Sequence, residues 1–131
     1  MSALYLDSSA FVKLVVEEPE TTALREFLAE KGLRHVSSAL LRAEALRAGR
    51  HVGADALAAA REGIRRIDLI AIDDRILDAA GGLEPRVLRT LDAIHLATAM
   101  AVGDDLDAIV TYDERMVEAA RILGLATATP G

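Results

Sequence analysis

The chain has no cysteine and no tryptophan, only three prolines and four aromatic side chains, and only two lysines among its fifteen basic residues. Without cysteine there is no disulfide, no thiolate nucleophile and no zinc site built on sulfur, which agrees with a reducing compartment. No apolar run approaches the eighteen or so residues of a membrane span. Met1 to Asp7 shows neither the basic cluster nor the cleavage site of a signal peptide, so a cytoplasmic protein is expected. Internal repeats, low-complexity tracts and linkers are missing as well. The 131 residues are therefore read as one domain, residues 1–131. Basic charge is in deficit, with 15 Lys and Arg against 21 Asp and Glu. That balance argues against a simple basic nucleic-acid binder, because counterion release needs clustered cations on the contact face. It leaves room for an enzyme whose acids hold a metal. Arginine suits bidentate phosphate contacts, but the skew toward it is assigned first to genomic base composition.

What is present is apolar residues, 52% of the chain, arranged in short runs and helical stripes. Ala3 to Leu6 reads as a strand and ends at Asp7-Ser8-Ser9, a cluster suited to opening a helix. Helices are predicted over Ala10 to Glu18, then from Pro19 with Ala23, Leu24, Phe27 and Leu28 on one face, and over Ala39 to Ala48, with Gly49 and Gly53 as punctuation. Further helices are predicted over Ala54 to Arg66, Asp74 to Ala80, Leu91 to Val102 and Glu114 to Leu123. Strands are predicted at Arg34 to Ser37, Leu69 to Ile72, Ala108 to Thr111 and Leu125 to Thr129, with Gly82 to Arg89 as a loop. Strands alternating with helices imply an α/β fold with a mostly parallel sheet covered on both faces, and ligands in such folds bind beyond the carboxyl ends of the strands.

Three strands run directly into acids: Asp7, the pair Asp73-Asp74, and Asp113. Asp73 and Asp74 are read as ordinary helix caps. Glu44 shares the apolar stripe of its helix with Leu40, Leu41 and Ala48, and a buried carboxylate needs a partner or a metal. Arg47 or an arginine from another helix is the simplest partner. Asp92 stands in the first turn of a helix, where an acid complements the helix dipole, yet Leu96 and Ala99 continue its face inward. If Asp7, Glu44, Asp92 and Asp113 converge, their mutual repulsion calls for a divalent cation, and all-oxygen ligation favours Mg²⁺ or Mn²⁺.

At these residues the chain resembles the PIN-domain ribonucleases, specifically the VapC-type toxins of bacterial and archaeal toxin-antitoxin pairs. The resemblance is carried in order by Tyr5-Leu6-Asp7-Ser8-Ser9-Ala10 with Val12-Lys13-Leu14, by Arg42-Ala43-Glu44, by Leu91-Asp92-Ala93-Ile94-His95-Leu96-Ala97-Thr98-Ala99, and by Val110-Thr111-Tyr112-Asp113. It implies a three-layer α/β/α sandwich with a mostly parallel four- or five-stranded sheet. It also implies Mg²⁺- or Mn²⁺-dependent endoribonuclease activity using one or two ions, held by Asp7 and Asp92 with Glu44 and Asp113. Glu114 lies beside the fourth acid and could share its role. Ser9, His95 and Thr111 support the acids, His95 by packing or hydrogen bonding rather than ligation. Lys13, Arg42, Arg89 and Arg115 are candidates for substrate phosphate by their nearness in sequence.

The partners implied are RNA, such as tRNA or another structured RNA, a cognate VapB-type antitoxin and a second copy of the chain, with no membrane. Two competing readings are an inactive PIN-like scaffold that binds RNA or protein, and a phosphoryl-acceptor signalling domain. The latter would want paired acids after the first strand and a lysine after the last, and no lysine follows Lys31.

Overall fold

A parallel strand covered on both faces needs continuous apolar sequence rather than alternation. Ala3-Leu4-Tyr5-Leu6 supplies it, and in the computed structural model, which describes residues 1–131, it forms the fully buried central strand β1 (Ala3–Leu6). Around it lie β2 (Arg34–Ser38), β3 (Asp68–Ile70), β4 (Leu106–Val110) and β5 (Thr127–Ala128), in the order β3-β2-β1-β4-β5 with every neighbouring pair parallel. The sheet thus has five strands. Its order differs from the 2-1-3-4-5 order of flavodoxin-like signalling domains, which removes the fold-level basis for the phosphoryl-acceptor reading.

Period-two projection sends Leu4 and Leu6 to one face of the sheet, and Ala3 and Tyr5 to the other. The first face packs on α1 (Ser8–Val15), α2 (Thr21–Lys31), α3 (Leu40–Val52) and α4 (Ala54–Arg65) through Phe11, Leu24, Leu28, Leu41, Ala45, Ala60 and Ile64. The second packs on α6 (Thr90–Val102) and α7 (Glu114–Ile122) through Leu96, Ala99, Met116 and Ala119. Helix α5 (Asp74–Gly81) completes that layer by packing Ile76 and Ala80 on Ala93, Ile94 and Ala97 of α6. The result is the three-layer α/β/α sandwich.

Several boundaries differ from those expected, each for a local reason. Helix α1 stops at Val15 instead of Glu18, and α2 opens at Thr21 instead of Pro19. The Thr21 hydroxyl donates to the Lys13 carbonyl and accepts the Glu18 N–H, so the intervening residues are held in a turn. Gly49 does not end α3, which runs on to Val52, and Gly53 with φ +152° makes the break. Gly49 is instead where α4 crosses: a Cβ there would lie 2.9 Å from the Leu57 Cα and 3.0 Å from the Ala56 carbonyl oxygen. Both obstacles are backbone, which cannot rotate aside. A short 3₁₀ turn over Gly103–Asp105, unforeseen in the sequence, joins α6 to β4.

Gly49→Ala is accordingly expected to destabilise the protein by about 1–3 kcal/mol, the range for overpacking a closed contact, despite alanine's better helix propensity. Chemical denaturation followed by circular dichroism measures it; an unchanged or raised midpoint would contradict the crossing described.

Candidate active site

The strand order changes direction beside β1: the chain passes from β1 to β2 and β3 on one side, and from β4 to β5 on the other. The carboxyl ends of β1 and β4 therefore flank the topological switch point, where open α/β sheets bind ligands. Asp7 follows β1 there, and Thr111, Tyr112 and Asp113 follow β4.

Asp7 is 3% exposed and caps α1. Its Oδ1 accepts from the Ala10 N–H at 3.1 Å and from the Ser9 hydroxyl at 2.6 Å; its Oδ2 accepts from the Thr111 hydroxyl at 2.5 Å. With their protons committed to Asp7, the hydroxyl oxygens accept from the backbone beyond β4, Ser9 from Tyr112 N–H at 2.9 Å and Thr111 from Asp113 N–H at 3.1 Å. Burial nevertheless outweighs these donors, and the Asp7 carboxyl is pushed above the usual carboxylate range. Asp113 caps α7 by accepting the Arg115 N–H at 2.9 Å, and the Arg115 guanidinium stands 3.9 Å from the same oxygen. Glu114 is exposed.

Asp92 behaves differently. Arg89 holds the cap position of α6 without a side-chain bond, and the half-buried Asp92 carboxylate has neither hydrogen bond nor ion pair. Its pKa is raised first by burial, then by the charge of Asp113 and, less, of Asp7, with Arg115 and His95 opposing. Asp92, Asp113 and Asp7 thus feel one another electrostatically. No three acidic or histidine side chains, however, approach closely enough to form a closed ligand set.

Glu44 does find a partner, but not an arginine. Its Oε1 lies 2.7 Å from Nε2 of His95, joining α3 in one helical layer to α6 in the other. His95 is 2% exposed, and its Nδ1 lies 2.6 Å from the Tyr5 hydroxyl, with the two rings edge-to-face at 5.8 Å and 79°. Burial pushes the Tyr5 phenol far above its ordinary pKa, so Tyr5 keeps its proton; because the Glu44 carboxylate accepts from Nε2, an imidazole with one proton leaves Nδ1 to accept from the Tyr5 hydroxyl. The network then assigns the remaining ring proton to Nε2, which donates to Glu44. Tyr5 was not among the site residues expected from sequence. The available signal was a tyrosine inside a wholly apolar strand, since a buried phenol needs a polar partner.

The basic candidates separate. Lys13 ion-pairs with Glu18 at 2.5 Å and Glu20 at 2.8 Å and lies over the Tyr112 ring at 4.8 Å, so its ammonium is already engaged. Arg115 borders Asp113 and Asp92. Arg42 and Arg89 are exposed and enter no ion pair. Asp73 caps α5 by accepting the Ile76 N–H at 2.9 Å, which accounts for it without any site.

A carboxylate whose folded pKa is raised binds its proton more tightly in the folded state, so stability falls as pH rises from the ordinary carboxylate pKa through the raised one. Asp92→Asn removes such a charge without breaking a hydrogen bond. At neutral pH and without divalent ions it is expected to raise the melting temperature by a few degrees, consistent with less than about 1 kcal/mol after solvent screening. The gain should vanish as pH falls into the ordinary carboxylate range. A variant that melts below the wild type at pH 7 would contradict the repulsion described.

Residues 4–122 match the family described as PIN domain. The chain is 55% identical over 130 residues to Ribonuclease VapC46 of Mycobacterium tuberculosis, covering 99% of each, and 44% identical over 131 residues to Ribonuclease VapC35 of the same species, covering 98% of this chain and 97% of that one. Among solved structures it is similar to Mycobacterium tuberculosis VapC20, described as a sarcin-ricin loop cleaving toxin, with TM-score 0.76, 18% identity and 97% and 99% of the two chains covered. It is similar also to VapBC2 of Rickettsia felis bound to a DNA fragment from their promoter, with TM-score 0.73, 14% identity and 98% and 99% covered. At such low identity these two structures speak for the fold, whereas the family match and the near full-length identity to VapC46 speak for descent: the chain belongs to the PIN-domain family, in its VapC-type branch.

Proposed function

We propose that this protein is a metal-dependent endoribonuclease toxin of the VapC type, restrained by a cognate VapB-type antitoxin. The observation that carries the catalytic part is Asp92: a half-buried carboxylate at the switch point with no partner of its own, raised in pKa first by burial and then by the charges of Asp113 and Asp7. Retaining such a group costs stability, and a divalent cation is the simplest counter-charge. The ribonuclease names of the VapC46 and VapC35 relatives support RNA as the substrate.

The donor set fits a hard cation. Every candidate ligand is a carboxylate oxygen, the choice suited to Mg²⁺ or Mn²⁺. Asp7 retains acceptor capacity beyond its three hydrogen bonds, since a carboxylate offers about four lone-pair positions. Asp7 and Asp92 would be the principal ligands and Asp113 a further one, with one or two ions in all. Such an ion supplies two things when bound: a lowered pKa for the attacking water and a counter-charge for the phosphate.

The protein's own groups do the rest. Ser9 and Thr111 hold Asp7 in one rotamer, as the supporting hydrogen bonds of ligating carboxylates do. Glu44, fixed by His95 Nε2, would orient a water or accept its proton. Arg115, 3.9 Å from Asp113, would meet a phosphate oxygen there. A second copy of the chain is expected to cover the apolar groove between α5 and α6, where Ile70, Ile76, Ala97 and the 43% exposed Met100 line a space of about 590 Å³. The pairing with an antitoxin is supported by the VapBC2 neighbour.

Two outcomes test this reading. Mg²⁺ or Mn²⁺ should raise the melting temperature and allow RNA cleavage. Asp7→Asn should abolish the thermal shift, and Asp92→Asn should reduce cleavage by about 10² or more, the scale expected on losing a group that stabilises the transition state. An undiminished shift in the first variant, or full activity in the second, would sink the assignment. Separately, light scattering should give the mass of two chains and Met100→Glu the mass of one; a monomeric wild type would refute the groove's assignment.

A further inference from the structure

Charge is distributed unevenly along the chain. Residues 40–66, the hairpin of α3 and α4, hold six arginines and three acids, while the rest of the chain holds nine basic residues against eighteen acids. One acid of the hairpin is Glu44, drawn onto His95 in the other layer; another, Glu62, serves both Arg65 and Arg66 at 3.6 and 3.2 Å. Arg42, Arg47, Arg50 and Arg61 are exposed and have no ion pair. They are also gathered: Arg47, Arg50 and His51 alone line a solvent-open recess of about 290 Å³, and Arg42, Arg61 and Arg65 face a second of about 230 Å³ with Leu46 and Ile64. Bringing like charges together without a carboxylate between them is unfavourable, and a polyanion reverses the sign of that interaction.

The placement says which polyanion. Positions 44, 47 and 51 share one face of a helix. The stripe that begins at the site acid Glu44 therefore continues into Arg47 and His51, about 4.5 and 10.5 Å further along the axis. Unpaired guanidinium forks leading away from a phosphodiester-cleaving site match successive phosphates of one strand. We propose that the arginine face of the α3–α4 hairpin is a backbone-binding track for the RNA strand entering the acid cluster, read through phosphate rather than base. The inference rests on the ribonuclease reading for the identity of the strand, but binding tests it without cleavage.

The experiment is fluorescence anisotropy of a short labelled single-stranded RNA in EDTA, titrated with NaCl. Arg47→Gln with Arg50→Gln, and separately Arg42→Gln with Arg61→Gln, should each weaken binding about ten-fold and flatten the log-log salt slope by about 1 to 2, roughly 0.7 for each phosphate that is no longer neutralised. The Arg47→Lys, Arg50→Lys pair should restore most of the slope. Arg121→Gln, whose guanidinium is held by Glu118 on the far side of the sheet, should bind as wild type. Unchanged affinity and slope in both Gln pairs, with melts showing folded protein, would overturn the track. Equally tight binding of poly-glutamate by the wild type would reassign the face to an acidic protein segment. Asp92→Asn should still bind; if it binds and the wild type, given Mg²⁺ or Mn²⁺ in place of EDTA, fails to cut, the nuclease reading falls while the track stands.

Discussion

Asp7 places a carboxylate in the interior at the carboxyl end of the central strand, and almost everything around it follows from supplying that charge with donors. Three come from two chain segments a hundred residues apart: Ala10 N–H and the Ser9 hydroxyl after β1, and the Thr111 hydroxyl after β4. Because each hydroxyl has one proton and gives it to Asp7, its oxygen is free to accept from the backbone entering α7. The same few atoms thus cap a helix, tie two neighbouring strand ends together and orient a candidate ligand. Removing one donor would leave a buried charge short of a partner, a costly arrangement in any fold.

A second chain of bonds performs a similar task between the helical layers. Tyr5, on the opposite face of β1 from Leu4 and Leu6, passes a hydrogen bond to His95, which passes another to Glu44. Glu44 on α3 is thereby referred back to the centre of the sheet. Around this frame the electrostatics divide. The acids at the switch point repel one another where water is partly excluded, and four arginines without an ion pair lie together on the α3–α4 hairpin. A net charge of -6 describes neither region.

Much of the architecture was legible because it depends on local periodicity. Buried strand segments, helical stripes and acids at strand ends are properties of neighbouring residues, and the expected α/β order appears with shifts of a few positions. What was misjudged involves residues brought together from a distance. Arg47 is the near neighbour of Glu44 along the helix, but the partner in space is His95, 51 positions away. Lys13 is a phosphate candidate by its place in the sequence, but the turn fixed by Thr21 brings Glu18 and Glu20 onto its ammonium. Gly49 read as a stop because glycine weakens helices; its reason is the backbone of α4 passing close to where a Cβ would be.

By itself the sequence determined the fold class, the placement of Asp7 and Asp113 after strands, the inward lean of Glu44 and Asp92, and the family these motifs resemble. These are matters of order and period, which survive without coordinates. Only the tertiary structure decided which carboxylates are engaged and which is free, that Tyr5 takes part through His95, and that four arginines of one hairpin stand close together without an ion pair. Desolvation and pairing depend on distances across the sheet and between layers, and those distances do not exist until the chain is packed.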